Sequence, residues 1–433
     1  MFIIAVLWTA FFVINFNIAM MIPLLPFIQR DIGLSPAEAG MVLAVFPVVA
    51  LVSNLALGPF IDRFGRKRFI LAGAAANGAI LLLTAMAGSA VPIALGRAAT
   101  GLFMPMIGAS VFAAIADYIP SPDRARIAGY VTSAAPIAFL ISMSLGVLLG
   151  GLFSWRLPLL MLSAVCLALA VAAAALPPTS SDALSSTPIS GRSYRERLLS
   201  LSLDAGTRLL LLSYFCWSVG MFVFLGLYPS WLVQHGLVGE GAGAIGIMLL
   251  LGEIGGLLGA LLSGRLTQFF RHPLTLCAAA SLVIAMIVLT IPFGTSLPVF
   301  QALAYAIFAF GRDLMLALIL GGAMLLVSAS QRGSLNATLN AVYQTGATIG
   351  GFASAWLYGF RADFTANVAV ASAVFAASAL MLWSITKIRL PASQPGRLPR
   401  ARPAVSTGPA RNHHTSVIPA KAGMVEVSGS TLP

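Results

Sequence analysis

The chain has 433 residues, of which 59% are hydrophobic and 9% charged, whereas a soluble domain carries about 25% charged residues. A chain of this composition cannot cover itself with polar groups in water and needs lipid as its solvent. The net charge of +12 does not mark a nucleic-acid binder, because the basic residues sit in short loops between apolar runs and in a C-terminal tail.

Apolar runs of roughly 20 residues, the length that crosses a bilayer, fall at 3–28, 38–60, 69–88, 92–116, 127–151 and 156–176. In lipid each run must satisfy its backbone internally, so each is expected to be a helix. The first opens on Met1-Phe2-Ile3-Ile4 without a basic n-region and outlasts a signal-peptide core, so no cleavable leader is expected. A Ser/Pro-rich, charged break follows, with Pro177-Pro178-Thr179-Ser180 and then Arg192, Arg195, Glu196 and Arg197; it reads as a soluble linker. Six further runs fall at 208–234, 242–264, 273–293, 298–327, 334–359 and 364–387. From Pro391 onward the sequence lacks apolar periodicity and is expected to be disordered. The expected architecture is an all-α polytopic membrane protein: a six-helix bundle over 1–176, a linker over 177–207, a second bundle over 208–390 and a tail over 391–433.

Lys and Arg set the expected orientation. Arg63, Arg66, Lys67, Arg68, Arg124, Arg126, the linker, Arg265, Arg271, Arg332 and the tail fall on one side, against Arg30, Arg156 and Arg361 on the other. Both termini and the linker are therefore expected to be cytoplasmic, in a cell inner (plasma) membrane. The two sets of six runs also register on each other. One shared offset pairs Gly40 and Gly58 with Gly246 and Gly264, Pro23 with Pro229, and Arg126 with Arg332. Parallel repeats of this kind place a solute site between the halves near the midplane.

Between the second and third runs stands Gly58-Pro59-Phe60-Ile61-Asp62-Arg63-Phe64-Gly65-Arg66-Lys67-Arg68. Glycine suits the turns, and one carboxylate among four cations can pair locally or cap a helix N-terminus. The segment resembles the cytoplasmic loop signature of the major facilitator superfamily, and with the twelve runs, linker and repeat the resemblance covers 1–390. It implies two pseudo-symmetric six-helix bundles working by alternating access. It gives gating roles to Gly58, Asp62, Arg63, Gly65 and Arg66, with Arg66 in reach of Asp117 and Asp62 near the start of the eleventh span, by Gly333 and Ser334. Arg97 followed by Gly101 resembles the superfamily's second motif. Ser142 to Gly151, with Gly146, Gly150 and Gly151, resembles the antiporter motif of the fifth span but has Val147 in place of its proline and Ser142 in place of a glycine. Small residues at this spacing serve ordinary helix packing as well. Trp155-Arg156 resembles the family's approach to the sixth span.

Charges inside spans are costly, at least about 2.5 kcal/mol for arginine, and point to function. Arg97, Glu253, Arg312 and Asp313 are such charges and are assigned to coupling, with Glu253 able to carry a proton. Arg312 and Asp313 splay by about 100° on a helix and need not pair. Asn15 and Asn17 in the first span cannot titrate; their amides suit solute binding or helix association. In the seventh run Tyr214, Trp217, Met221, Phe224, Tyr228 and Trp231 recur at spacings of three and four, which predicts one aromatic stripe. It suits apolar, aromatic or cationic solutes, or helix packing.

Cys166, Cys216 and Cys277 lie inside apolar runs without ligand spacing. The sequence has no His-Glu-x-x-His, no Gly-x-Ser-x-Gly and no phosphate loop, so neither an enzyme nor a cofactor or metal is expected. The expected function is secondary transport of a small solute, resembling the drug–proton antiporter branch: proton-coupled efflux by a monomer in the lipid bilayer. Uptake by a symporter or facilitator is the alternative, and a receptor or channel a remote one.

Overall fold

A computed structural model describes residues 1–120, 123–177, 205–234, 242–270, 272–294, 297–323, 332–361 and 363–388. The tail and nearly all of the expected linker lie outside these residues. Among the described residues seven α-helices precede the linker: α1 (Phe2–Ile32), α2 (Pro36–Phe64), α3 (Arg66–Ala85), α4 (Ala90–Tyr118), α5 (Arg124–Thr132), α6 (Ala134–Leu152) and α7 (Arg156–Ala174). Seven follow it: α8 (Ala205–Leu225), α9 (Tyr228–Gln234), α10 (Ala242–Leu266), α11 (Pro273–Thr290), α12 (Pro298–Ala323), α13 (Arg332–Phe360) and α14 (Thr365–Ile388). Helix α8 thus begins inside the segment expected to be linker. Among the described residues there is no strand.

Two expected spans are each built from two helices, and proline accounts for both breaks. Proline lacks an N–H and its ring clashes with the carbonyl four residues earlier. For Pro136 that carbonyl belongs to Thr132, where α5 ends; for Pro229 it belongs to Leu225, where α8 ends. Pro23, the repeat counterpart of Pro229, leaves α1 continuous. The difference lies one turn earlier, where α1 has Met20 and the second half has Gly226, a poor helix former.

Among the described residues eleven helical segments are long and apolar enough to cross a membrane. Helix α13 is equally long but carries Asn336, Asn340, Gln344, Thr345 and Thr348. Part of that polar complement faces inward: Gln344 is buried. Elsewhere large apolar side chains such as Leu83, Val171, Leu261 and Trp383 point outward, as lipid-facing positions require.

The packing repeats. In the first half α1 lies on α6, α3 on α7, and α2 on α4; in the second α8 lies on α13, α11 on α14, and α10 on α12. The halves meet along α2–α13 and α6–α10, two contacts that the repeat interchanges. Glycines permit the close approaches. A Cβ on Gly146 would sit 2.6 Å from Pro23 Cγ, and one on Gly150 2.7 Å from a Phe27 ring carbon. Gly346 and Gly350 do the same for α13 against Ser218 and Phe222 of α8. Gly146, Gly150 and Gly151 correspond to Gly346, Gly350 and Gly351 at a single offset, a second copy that the sequence reading missed. Gly146→Ala should therefore lower stability by about 1–3 kcal/mol through overpacking against a rigid proline ring. Gly129→Ala, with open space around it, should not. Melting of the two purified variants checks this.

The halves touch at the end away from the basic loop. A Cβ on Gly40 would fall 2.3 Å from Ala355 Cβ, and one on Gly246 3.2 Å from the Ser144 carbonyl. At the same end Asp31 accepts from Trp155 Nε1 (2.8 Å) and Arg156 Nη1 (2.7 Å), tying α1 to α7. The chain turns from α1 to α2 through Gly33, whose φ of 70° closes the helix in the left-handed conformation. Ser35 and Glu38 then form a reciprocal capping box on α2.

Candidate functional site

Three buried charges meet between α10 and α12. Arg312 donates from Nη2 to Glu253 Oε2 (2.6 Å) and from Nη1 to Oε1 (3.0 Å). It also donates from Nε and Nη2 to the two oxygens of Asp313, each at 2.9 Å. The adjacent residues pair after all, because the long arginine side chain folds back across the 100° that separates them. Glu253 and Arg312 are 1% and 2% exposed, so this is a desolvated assembly, where ion pairs survive only if their hydrogen bonds are filled. Tyr305 supplies one more, donating its hydroxyl to Glu253 Oε1. It stands two turns before Arg312 on the same helix face, a spacing the sequence displays.

Glycine again sets the geometry. A Cβ on Gly256 would lie 2.4 Å from Asp313 Oδ2 and 3.0 Å from Arg312 Nη2, and Gly252, Gly255 and Gly259 let α12 run close along α10. The cluster also reaches the other half: the Arg312 guanidinium sits 4.9 Å from the centroid of the Phe139 ring, on α6. Two carboxylates against one guanidinium leave an excess of one negative charge, which one proton would neutralise.

Arg97 is placed differently. It is 5% exposed, and its polar contact is one hydrogen bond from Nη1 to Asn17 Oδ1 (2.9 Å). It lies 4.5 Å from the Phe46 ring centroid, and its Nε has no partner. Among the described residues no carboxylate pairs with it. Arg97 lines a small cleft between the halves with Ile22, Phe46, Phe222, Tyr343 and Gln344.

The aromatic stripe of the seventh span divides. Trp217 stacks on Tyr214 and tilts against Tyr343, so it backs the cleft wall. Phe224 packs on Phe308 and Tyr228, and Tyr228 donates to Gln301 at 3.1 Å; these two do not line the cleft. Trp217 and Phe224 both precede the break at Gly226-Leu227, and Tyr228 beyond it still packs on Phe224 and Trp231, so the stripe's contacts run on across the break; they go to Tyr343 of α13 and Phe308 of α12. Phe222, outside the predicted stripe, faces the cleft instead. Met221 is buried. Asn15 donates to the Phe11 carbonyl one turn back (2.8 Å).

A family model described as Major Facilitator Superfamily matches residues 7–321. The chain belongs to that superfamily. It is a multi-pass membrane transporter, not an enzyme. An uncharacterized transporter of the same superfamily type from Bacillus subtilis, YceJ, is 26% identical over 383 residues, covering 88% of this chain and 95% of that one. Multidrug resistance protein 2 of the same organism is 28% identical over 166 residues, covering 38% of this chain and 41% of that one. In fold the chain is similar to a D-xylose–proton symporter, with a TM-score of 0.71 at 14% identity over 89% of this chain and 97% of that one.

In the superfamily's loop, Gly65 has a φ of 90°, the left-handed region where glycine is free of strain, and links α2 to α3. Arg66 Nε lies 3.2 Å from Asp117 Oδ2, joining α3 to the end of α4 with both side chains about 10% exposed. Lys67 donates to the Leu176 carbonyl just beyond α7 (2.5 Å). Gly151 is exposed at the end of α6. The surroundings of Gly58 and the side chains of Asp62 and Arg63 lie outside what is described.

Proposed function

We propose that this superfamily transporter exports a small solute in exchange for protons, as a monomer in the inner membrane with both termini cytoplasmic. The buried Glu253–Arg312–Asp313 cluster carries the reading. Its excess negative charge gives a proton a place to bind inside a span. Its contact with Phe139 lies beside the α6–α10 seam, along which the halves would move for access to alternate, so a proton taken up there would act on that seam. A proton on Glu253 would leave it one accepting oxygen in place of two and so weaken its fork with Arg312, favouring one arrangement of the seam over the other. Export over uptake is supported by the partial likeness to a multidrug resistance protein.

Everted vesicles energised to acidify their lumen test this reading. They should accumulate a solute from a labelled panel, and an uncoupler should abolish the accumulation. Accumulation that ignores the uncoupler would refute proton coupling.

The cytoplasmic lock belongs to the same proposal. Asp62 falls in the last turn of α2, and α13 begins at Arg332. A carboxylate at a helix N-terminus gains about 0.3–1 kcal/mol, so Asp62 would hold the two halves together only when that side is shut. Asp62→Asn removes the charge at nearly constant shape. It should raise cysteine-labelling accessibility from the cytoplasmic side and slow turnover without abolishing solute binding. Parental accessibility and turnover would reduce the motif to a topological loop.

A further inference from the structure

We infer that the central cleft is an anion site, and that the solute carries a carboxylate or similar anionic head on an aromatic or apolar body. The inference deepens the transport reading and rests on it. Arg97 from α4 brings an unneutralised guanidinium to the cleft, with Nε unclaimed. Its one partner, Asn17, is fully buried, and the Asn17 Nδ2 donor is also without a partner. Across the cleft Gln344 of α13 is 7% exposed and, with the Tyr343 hydroxyl beside it, makes no side-chain hydrogen bond among the described residues.

Buried polar groups are normally paired, and a buried cation needs a counter-charge or a strong acceptor. Here Arg97 from one half and Gln344 from the other line one space. An anion accepts from both: from the Arg97 guanidinium, held by Asn17, on one side and from the Gln344 amide on the other. A cation would meet Arg97 head-on. Phe46, whose ring lies under Arg97, and Phe222 add apolar lining for the body of the solute. Because the donors come from opposite halves, the bound anion would also draw the halves together.

A matched set of probes tests this on the purified full-length protein in nanodiscs: 2-naphthoate, 2-naphthamide and 2-naphthylmethylammonium share one ring and differ in charge. Naphthoate should bind at least about 10-fold tighter than the amide, the scale of one charge-assisted hydrogen bond, and the ammonium weakest. Arg97→Gln should bring naphthoate down to the affinity of the amide while leaving the amide unchanged. Gln344→Leu, which spares the buried charge, should weaken naphthoate more than the ammonium and covers the case in which Arg97→Gln fails to fold. Equal binding of all three probes, binding of none, or a naphthoate preference that survives both substitutions overturns the inference. Binding is read at equilibrium without a gradient. A protein that prefers naphthoate but transports without regard to uncouplers therefore keeps the anion site and loses the proton coupling.

Discussion

Arg312→Leu should be among the most damaging single substitutions in the protein, lowering stability by about 3–5 kcal/mol. The guanidinium makes hydrogen bonds to both Glu253 and Asp313 in a space from which water is excluded. Removing it leaves two carboxylates facing each other with no cation, at positions 1% and 8% exposed. Leucine fills part of the volume and answers none of the charge. The loss should appear as a lower melting temperature and as aggregation on size-exclusion chromatography in detergent. Neutralising the acids should reverse it: Arg312→Leu combined with Glu253→Gln and Asp313→Asn should melt closer to the parent than Arg312→Leu alone. A lone Arg312→Leu variant that melts like the parent would show that the acids do not need the cation.

Glu253→Gln is expected to separate binding from coupling. Glutamine keeps the shape, and its carbonyl can still accept from Arg312 and Tyr305, so the fold should persist. It cannot exchange a proton. Uphill accumulation in energised vesicles should fall to the level seen with uncoupler, while downhill exchange and equilibrium binding of the solute remain within about 3-fold of the parent, less than half a decade in free-energy terms. The pH dependence of transport should flatten in the same variant. Uphill accumulation at the parental rate would remove Glu253 from the mechanism.

The spans were legible because bilayer thickness and backbone satisfaction leave few solutions for an apolar run, and even the polar α13 declared itself by length. The broken spans were legible in principle, since Pro136 and Pro229 each name the carbonyl they displace; continuous apolarity masked them. The aromatic stripe was visible as a spacing, but not that it packs on Tyr343 of α13 and Phe308 of α12, because spacing within one span does not name the helices that face it. Glu253, Arg312 and Asp313 stood out as charges in lipid, but their convergence did not, because nothing in the sequence states that α10 and α12 lie glycine to backbone. The glycines at 252, 255, 256 and 259 hold that information and become readable once the pairing is known. Arg97 was visible as a charge; that it meets an amide instead of a carboxylate could be learned only from which helix faced it.

The most direct test of a proton-carrying cluster needs no solute. Infrared difference spectra of the purified protein, acidified stepwise, should show a protonated-carboxyl C=O band growing across the pH range in which transport changes. That band should be missing in Glu253→Gln and shifted in Asp313→Asn, whose change alters the shared arginine. A band of parental size and position in both variants would place the proton elsewhere and contradict the account.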